Sequence, residues 1–282
     1  MVGFVEKAAQ GIFHKFGERD PQAIFIGQID PSAGNPYYRT LASNLRGRTL
    51  QLFPAQIAAF KDVEAQDSGK LTLYCMVGKE GVFCGMQSPK ESNGYYPGGT
   101  KYISQGSADT ISRAGAKIAE ALHYLLMHRA APRKGSNWLE LGASPGGITS
   151  ELLRRGYKVT AIDRAPLDKR LDHQQGLFFA MLDVAAFKPN AQMLYDAIVC
   201  DMNGDARESI RQVGRLSKNL RTGGIVIFTL KTPGATTLEE MNELFQFAEA
   251  TATRAGLKLF AKTHLTYNRH ELTLFFEFGS PT

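Results

Sequence analysis

From Asn137 onward the chain alternates two hydrophobic periods. Near-continuous apolar runs fall at 137–141 (NWLEL), 157–162 (YKVTAI), 177–182 (LFFAML), 196–200 (DAIVC) and 224–230 (GIVIFTL), and two more, 257–264 (LKLFAKTH) and 271–278 (ELTLFFEF), close the chain. Between them, apolar residues recur at helical spacing near 146–155, 205–220 and 236–255. Unbroken apolar strands separated by helices predict an α/β fold with a mostly parallel sheet covered on both faces. No helix separates the last two strands, only the polar segment TYNRH, so they predict an antiparallel pair at one side of the sheet. Upstream, 111–128 (ISRAGAKIAEALHYLLMH) predicts an amphipathic helix, and the Gly-, Ser- and Tyr-rich stretch 93–110 a linker or surface loop. The first ninety residues mix strand-like runs (22–28, 70–77, 81–86) with a helix near 54–64, as in a small α+β domain. The domains expected are therefore 1–105 and 106–282.

The segment Asn137–Gly147 (NWLELGASPGG) is a strand running into a glycine turn that opens a helix. Such a turn lets a ligand lie against bare backbone and the positive end of the helix dipole. Gly142-Ala143-Ser144-Pro145-Gly146 formally matches the G-x-S-x-G nucleophile elbow. The elbow's oxyanion hole, however, needs the backbone N–H of the residue after the serine, and that residue is Pro145, which has none. The G-x-G-x-x-G dinucleotide fingerprint fails too, because the glycines stand at 142, 146 and 147.

Three acids follow the glycine turn at successive strand ends: Asp163 in VTAID, Asp183 in MLD and Asp201 in IVCD. In an open α/β sheet these ends share the carboxyl edge, where ligands bind. Asp163 is placed to accept from ribose hydroxyls and Asp183 to meet the base of a nucleoside; capping the next turn is the alternative use of such an Asp. Lys231 ends the most apolar strand on the same edge. A partly buried Lys beside a second cation, here Lys117, is expected to have a lowered pKa and to serve as a base. Glu271 opens the last strand and could orient the lysines.

Composition changes little. Hydrophobic residues make up 43% and charged residues 21%, as in ordinary soluble domains. The net charge of +6 is spread along the chain without a basic tail and only mildly favours a polyanionic partner. The three cysteines, Cys75, Cys84 and Cys200, form no CxxC pair and suggest neither a zinc site nor a disulfide framework. No apolar run reaches membrane-span length, and the charged N-terminus does not read as a signal peptide. A cytoplasmic protein is expected.

The order of Tyr-Pro-Gly-Gly at 96–99, Ser112-Arg113 and Lys117 in SRAGAKIAEAL, LGASPGG, AID, MLD, CDMNG, TLKTP and NRHELTLF resembles the FtsJ-type S-adenosylmethionine-dependent RNA 2′-O-ribose methyltransferases. The likeness is most specific to the RlmM-type enzymes, which methylate a cytidine ribose of 23S ribosomal RNA, and it covers about residues 90–278. It implies a Rossmann-like class I methyltransferase fold with a seven-stranded, mostly parallel sheet and an antiparallel C-terminal strand. It also implies a catalytic tetrad of Lys117, Asp201, Lys231 and Glu271, with Lys231 as general base. Cofactor contacts carry over onto Ser112, Gly142, Ser144, Pro145, Gly146, Gly147, Asp163, Asp183 and Asp201, and no metal is required. The partner implied is RNA, with neither DNA nor membrane, and residues 1–105 become an RNA-guiding, THUMP-like module. In that module Tyr37, Tyr38, Arg39, Arg46 and Arg48 are candidates for stacking and phosphate contacts. Amino methylation of bases is disfavoured, because the loop after the fourth strand reads Asp-Met-Asn-Gly rather than Asn/Asp-Pro-Pro-aromatic. A small-molecule O-methyltransferase and a catalytically silent RNA-binding protein are the competing readings.

Overall fold

The computed structural model describes residues 2–29, 36–59, 66–95, 110–190, 192–268 and 270–279. The Tyr-Pro-Gly-Gly element at 96–99, most of the expected linker and Arg269 lie outside the described residues. The chain divides into two compact units, Met1–Lys101 and Tyr102–Thr282.

In the first unit the elements run α1 (Val2–Phe16), β1 (Ala23–Gln28), α2 (Tyr37–Leu52), α3 (Ala55–Ala59), β2 (Thr72–Gly78) and β3 (Gly81–Gln87). The strands form a three-stranded sheet in the order β1-β2-β3, with β1 parallel and β3 antiparallel to β2. Helices α1 and α2 depart from the sequence expectation, which placed no helix there. Their apolar stripes are real but narrow: Val5, Ala9, Ile12 and Phe16 on α1, and Leu41, Ala42 and Leu45 on α2. Both stripes meet Ile24, Ile26, Leu73, Cys75 and Val77 on one face of the sheet. Arg48 is no free phosphate contact, since its Nε and Nη2 reach the Glu6 carboxylate at 2.6 and 2.9 Å.

The second unit runs α4 (Ala114–Leu125), β4 (Asn137–Leu141), α5 (Gly147–Arg154), β5 (Lys158–Asp163), β6 (Leu177–Met181), β7 (Tyr195–Cys200), α6 (Ala206–Leu216), β8 (Leu220–Lys231), α7 (Leu238–Arg254), β9 (Leu257–Thr263) and β10 (Glu271–Phe278). Seven strands order as β6-β5-β4-β7-β8-β10-β9. All neighbours are parallel except β10, which inserts antiparallel between β8 and β9. The expected α/β architecture with an antiparallel C-terminal strand is thus the observed one.

The apolar runs explain themselves by burial on both faces. Leu139, Leu141, Ile198, Val226, Phe228, Leu274 and Phe276 pack under Ile210 and Val213 of α6 and Ala248 and Ala252 of α7. Phe275, one residue on, stacks on Tyr124 of α4 with ring centroids 5.2 Å apart. Thr237 and Glu240 form a reciprocal capping box that starts α7 after the Lys231 loop. The chain runs outward from β4 to β6 and then returns to β7 on the other side of β4. That reversal opens a crevice at the carboxyl ends of β4 and β7, the topological switch point where open α/β sheets bind ligands.

Candidate active site

The glycine turn and Asp201 face each other across this crevice. Asp201 follows β7 directly, and its N–H donates to the Leu141 carbonyl at 3.1 Å, which locks the two strand ends together. Gly142 has φ +81°, and a Cβ there would lie 2.8 Å from the Met202 Cα and 2.9 Å from its N. Only glycine lets the two loops approach this closely. Gly146, also left-handed, caps α5, and Gly147 begins it.

Ser144 is not a free nucleophile. Its hydroxyl donates to the Pro166 carbonyl at 2.9 Å and its N–H to Asp163 Oδ2 at 2.9 Å. Asp163 Oδ1 accepts from the Ala165 N–H at 2.8 Å, so this carboxylate staples the turn while also lining the crevice. Asp183 likewise caps the turn after β6 by accepting from the Ala185 N–H at 2.8 Å. The cavity between these residues measures about 260 Å³, and Gly142, Ser144, Asp163, Asp183, Asp201 and Met202 lie along its wall. Pro145, Gly146, Gly147 and Ser112 stand outside that wall, around the helix N-terminus.

Two features fit the crevice to a ligand carrying both a nucleoside and charged groups. The Ser112 hydroxyl is buried with no hydrogen-bond partner, and it occupies the space a Cβ on Gly147 would need. A buried polar atom without a partner costs free energy, which a polar ligand group at this turn would recover. The carboxylates at Asp163, Asp183 and Asp201 supply acceptors along the cavity for hydroxyls, an amine or a cation.

At the Asp201 end, four side chains from four elements close into a ring. Lys117 of α4 donates to Asp201 at 3.1 and 3.2 Å and to Glu271 Oε1 at 2.6 Å. Lys231 donates to Asp201 Oδ1 at 2.8 Å and reaches Glu271 Oε2 at 2.8 Å. Strand register explains half of the ring, because Glu271 of β10 lies directly opposite Lys231 of β8. The four side chains are only 9–15% exposed. Each lysine therefore bridges both carboxylates, and the ring is neutral when all four are charged.

This charge balance corrects the expected low pKa of Lys231. Burial pulls it down, but the attraction of Asp201, followed by the hydrogen bonds to Asp201 and Glu271, outweighs burial and leaves it above the ordinary lysine value. The second lysine does stand close, but two carboxylates stand between the cations.

Two further residues belong to the site. Asn268 is buried behind Glu271; with its amide nitrogen facing the carboxylate, it donates to Glu271 Oε1 at 3.3 Å and accepts from Thr273 Oγ1 at 3.0 Å. Glu140, next to the C-terminal end of β4 and just before the glycine turn, accepts from Thr149 Oγ1 at 2.7 Å, while its Oε1 has no partner. Burial, reinforced by the Asp201 and Asp163 charges against the Thr149 hydrogen bonds, pushes its carboxyl up to about 8. A single acidic residue inside an apolar strand (NWLEL) was the signal for Glu140; Asn268 opens the NRHELTLF motif, but nothing in the pattern set it behind Glu271.

Comparison with known proteins gives the site its context. The ribosomal RNA large subunit methyltransferase M of Halorhodospira halophila is 32% identical over 164 residues, 58% of this chain and 46% of that protein. Its namesake from Shewanella amazonensis is 28% identical over 211 residues, 71% of this chain and 56% of that protein. The chain thus spans about half the length of the curated relatives it matches. A candidate hemolysin from Streptococcus thermophilus shares the fold, with a TM-score of 0.53 at 18% identity over 66% of this chain and 76% of that one. The sequence model of the FtsJ-like methyltransferases matches residues 110–252, just over half of the 282 residues and the span that holds the glycine turn, Asp201, Lys117 and Lys231. The chain belongs to the FtsJ-like methyltransferase family.

Proposed function

We propose that this protein transfers the methyl group of S-adenosyl-L-methionine to a ribose 2′-hydroxyl of RNA, in large-subunit (23S) ribosomal RNA and at a cytidine. The observation that carries the reading is the closed Lys117–Asp201–Lys231–Glu271 ring at the mouth of a nucleoside-sized crevice. Family membership supports the methyl transfer, and the likeness to ribosomal RNA large subunit methyltransferases supports the ribosomal target.

The residues fit this cofactor. Asp163 and Asp183 would take the ribose and base ends, and the Ser112 hydroxyl with the Gly142–Gly147 turn would take the methionine end. Bound there, S-adenosyl-L-methionine supplies an electrophilic methyl group on a positively charged sulfur. Asp201 holds both lysines toward that end of the crevice. Lys231, once deprotonated, would accept the proton of the 2′-hydroxyl as its oxygen takes the methyl group, the methyl–sulfur bond breaking with its electron pair left on a neutral thioether. Lys117 and Glu271 fix the position of the Lys231 amine. Alignment of the attacking oxygen supplies much of the acceleration, and base catalysis a further two to four orders of magnitude, roughly. Residues 1–105 act as the RNA-guiding module in this reading.

The test is transfer of a tritiated methyl group from the cofactor to unmodified large-subunit ribosomal RNA, followed by mapping of the labelled nucleotide. Label on a ribose that resists alkaline cleavage at one cytidine is the expected result. Label on a base, or transfer to a small-molecule hydroxyl but not to RNA, refutes the assignment.

A further inference from the structure

The mechanism above uses none of the three cysteines, yet two of them meet. Cys75 on the central strand β2 and Cys84 on the edge strand β3 are direct register partners. Their side chains point to the same face, toward α1 and α2, where Cys75 is fully buried and Cys84 only partly. The hairpin turns through two residues, with Gly78 opposite Gly81 as its closing pair. Hydrogen-bonded and non-hydrogen-bonded pairs alternate along an antiparallel ladder. Counting back from the closing pair, Cys75 and Cys84 occupy a non-hydrogen-bonded pair, where the Cα atoms approach to about 4.5 Å. That separation falls inside the range of about 4.4–6.8 Å that a disulfide spans.

The electrostatics divide the labour between the two sulfurs. Cys84 accepts the hydrogen bond of the Cys75 thiol, which holds its pKa below the ordinary value against burial, and the positive charge of Lys15 on α1 adds to this. Cys75 is pushed up by donating that bond and by burial. A partly exposed thiol beside a cation and next to a second thiol is the arrangement in which thiol oxidation ends in a disulfide. Cys200, by contrast, is buried on β7 between Leu141 and Phe228, with no cysteine opposite.

We propose that Cys75 and Cys84 form an oxidisable dithiol, a modification site at which a hydroperoxide converts the β2–β3 hairpin into a disulfide-clamped form. In the first step the Cys84 sulfur attacks a peroxide oxygen. An S–O bond forms, the O–O bond breaks and the leaving oxygen departs as water or alcohol, leaving a sulfenic acid on Cys84. In the second step the Cys75 sulfur attacks the Cys84 sulfur. The S–S bond forms, the S–O bond breaks, and hydroxide leaves with the Cys75 proton as water. The two thiols lose two electrons and the peroxide gains them. The inference is independent of methyl transfer and needs neither RNA nor cofactor for its test.

The full chain is treated with graded hydrogen peroxide, quenched in acid and weighed without reduction, then digested unreduced. The expected product is lighter by about 2 Da, with a linked peptide pair carrying Cys75 and Cys84 and with Cys200 still a free thiol. Cys75→Ser should accumulate a sulfenic acid at Cys84 that dimedone captures, and Cys84→Ser should leave Cys75 reduced. Peroxide-treated wild type in which both thiols still alkylate, or in which Cys84 carries sulfinic acid beside a free Cys75, overturns the proposal. Dimedone label on Cys75 in Cys84→Ser at the wild-type rate overturns the assignment of the attacking sulfur. Where a variant fails to fold, the wild-type peptide map decides alone.

Discussion

Replacing Lys231 with alanine separates the chemistry of the ring from its structure. The substitution removes one of two cations from a neutral quartet, so Asp201 and Glu271 are left to share Lys117, at 3.1 and 2.6 Å. Stripping one partner from a fully buried ion pair costs about 3–5 kcal/mol. Here each carboxylate keeps a partner and remains about one-tenth exposed, so a loss of about 1–3 kcal/mol of stability is expected. The barrier to transfer should rise by about 3–5 kcal/mol, the equivalent of two to four decades of rate. Cofactor affinity should stay within a few-fold, because the crevice from Gly142 to Asp183 is untouched.

Three assays read these effects apart: urea unfolding, calorimetric cofactor binding and single-turnover methyl transfer. Lys231→Arg sharpens the comparison. A guanidinium can restore the ion pairs but stays charged at every working pH, so stability should return while the rate does not. A rate for Lys231→Ala within about tenfold of wild type, with cofactor binding unchanged, refutes the general-base role. Recovery of full activity by Lys231→Arg refutes it equally, since the residue would then be acting as a fixed positive charge.

Three further outcomes are expected. Glu271→Gln removes one of the carboxylates that raise the Lys231 pKa, so the rising limb of the pH–rate profile should move to lower pH; an unmoved limb argues that Lys231 is not the titrating base. Glu140 carries a native pKa of about 8 against an unfolded value of about 4.3. Its folded form therefore holds the extra proton between those values, and stability falls as pH rises through that window. Glu140→Gln removes this dependence, so its stability relative to wild type should improve from pH 5 to 8 by up to about 1.4 kcal/mol per pH unit in urea titrations. Gly142→Ala forces a side chain into a left-handed position and against the Met202 backbone; it should cost more than about 1 kcal/mol and weaken cofactor binding, whereas wild-type affinity would show that the turn can relax.

The second unit was legible in the sequence because its strands are buried on both faces and its helices on one, which makes period and burial coincide. Runs such as NWLEL and ELTLFFEF return as β4 and β10 with the boundaries read from the pattern. The first unit was less legible. Helix α1 carries Gly11 and a short stripe, and α2 is polar around most of its circumference, with Gly47 inside it. Packing against the three-stranded sheet, more than propensity, keeps these segments helical. At the site, sequence order brought out the acids and lysines one by one, but the direct pairing of Glu271 with Lys231 depends on β10 inserting between β8 and β9. The charge state of Lys231 was misjudged for the same reason. The sequence set Asp201 and Glu271 near the lysines, but that each lysine bridges both carboxylates, so that attraction outweighs burial, belongs to the tertiary fold.

That charge state poses the central chemical problem of the ring. A lysine held above its ordinary pKa is protonated at neutral pH and accepts nothing, so the proposed base rests in its inactive form. Asp201 is the residue shared by both lysines and by the cofactor crevice. A positive charge entering the crevice competes with Lys231 for that carboxylate and disfavours the second cation beside it. The ring would then hold the Lys231 proton less tightly when the sulfonium form of the cofactor is present, and more tightly once the neutral thioether product remains. Titration of the lysine side-chain ammonium by NMR should place the Lys231 pKa lower with S-adenosyl-L-methionine than with its demethylated product, by about half a unit, the equivalent of a few-fold in affinity. Equal values in the two complexes would sever the link between cofactor charge and base, leaving Lys231 to act through alignment alone.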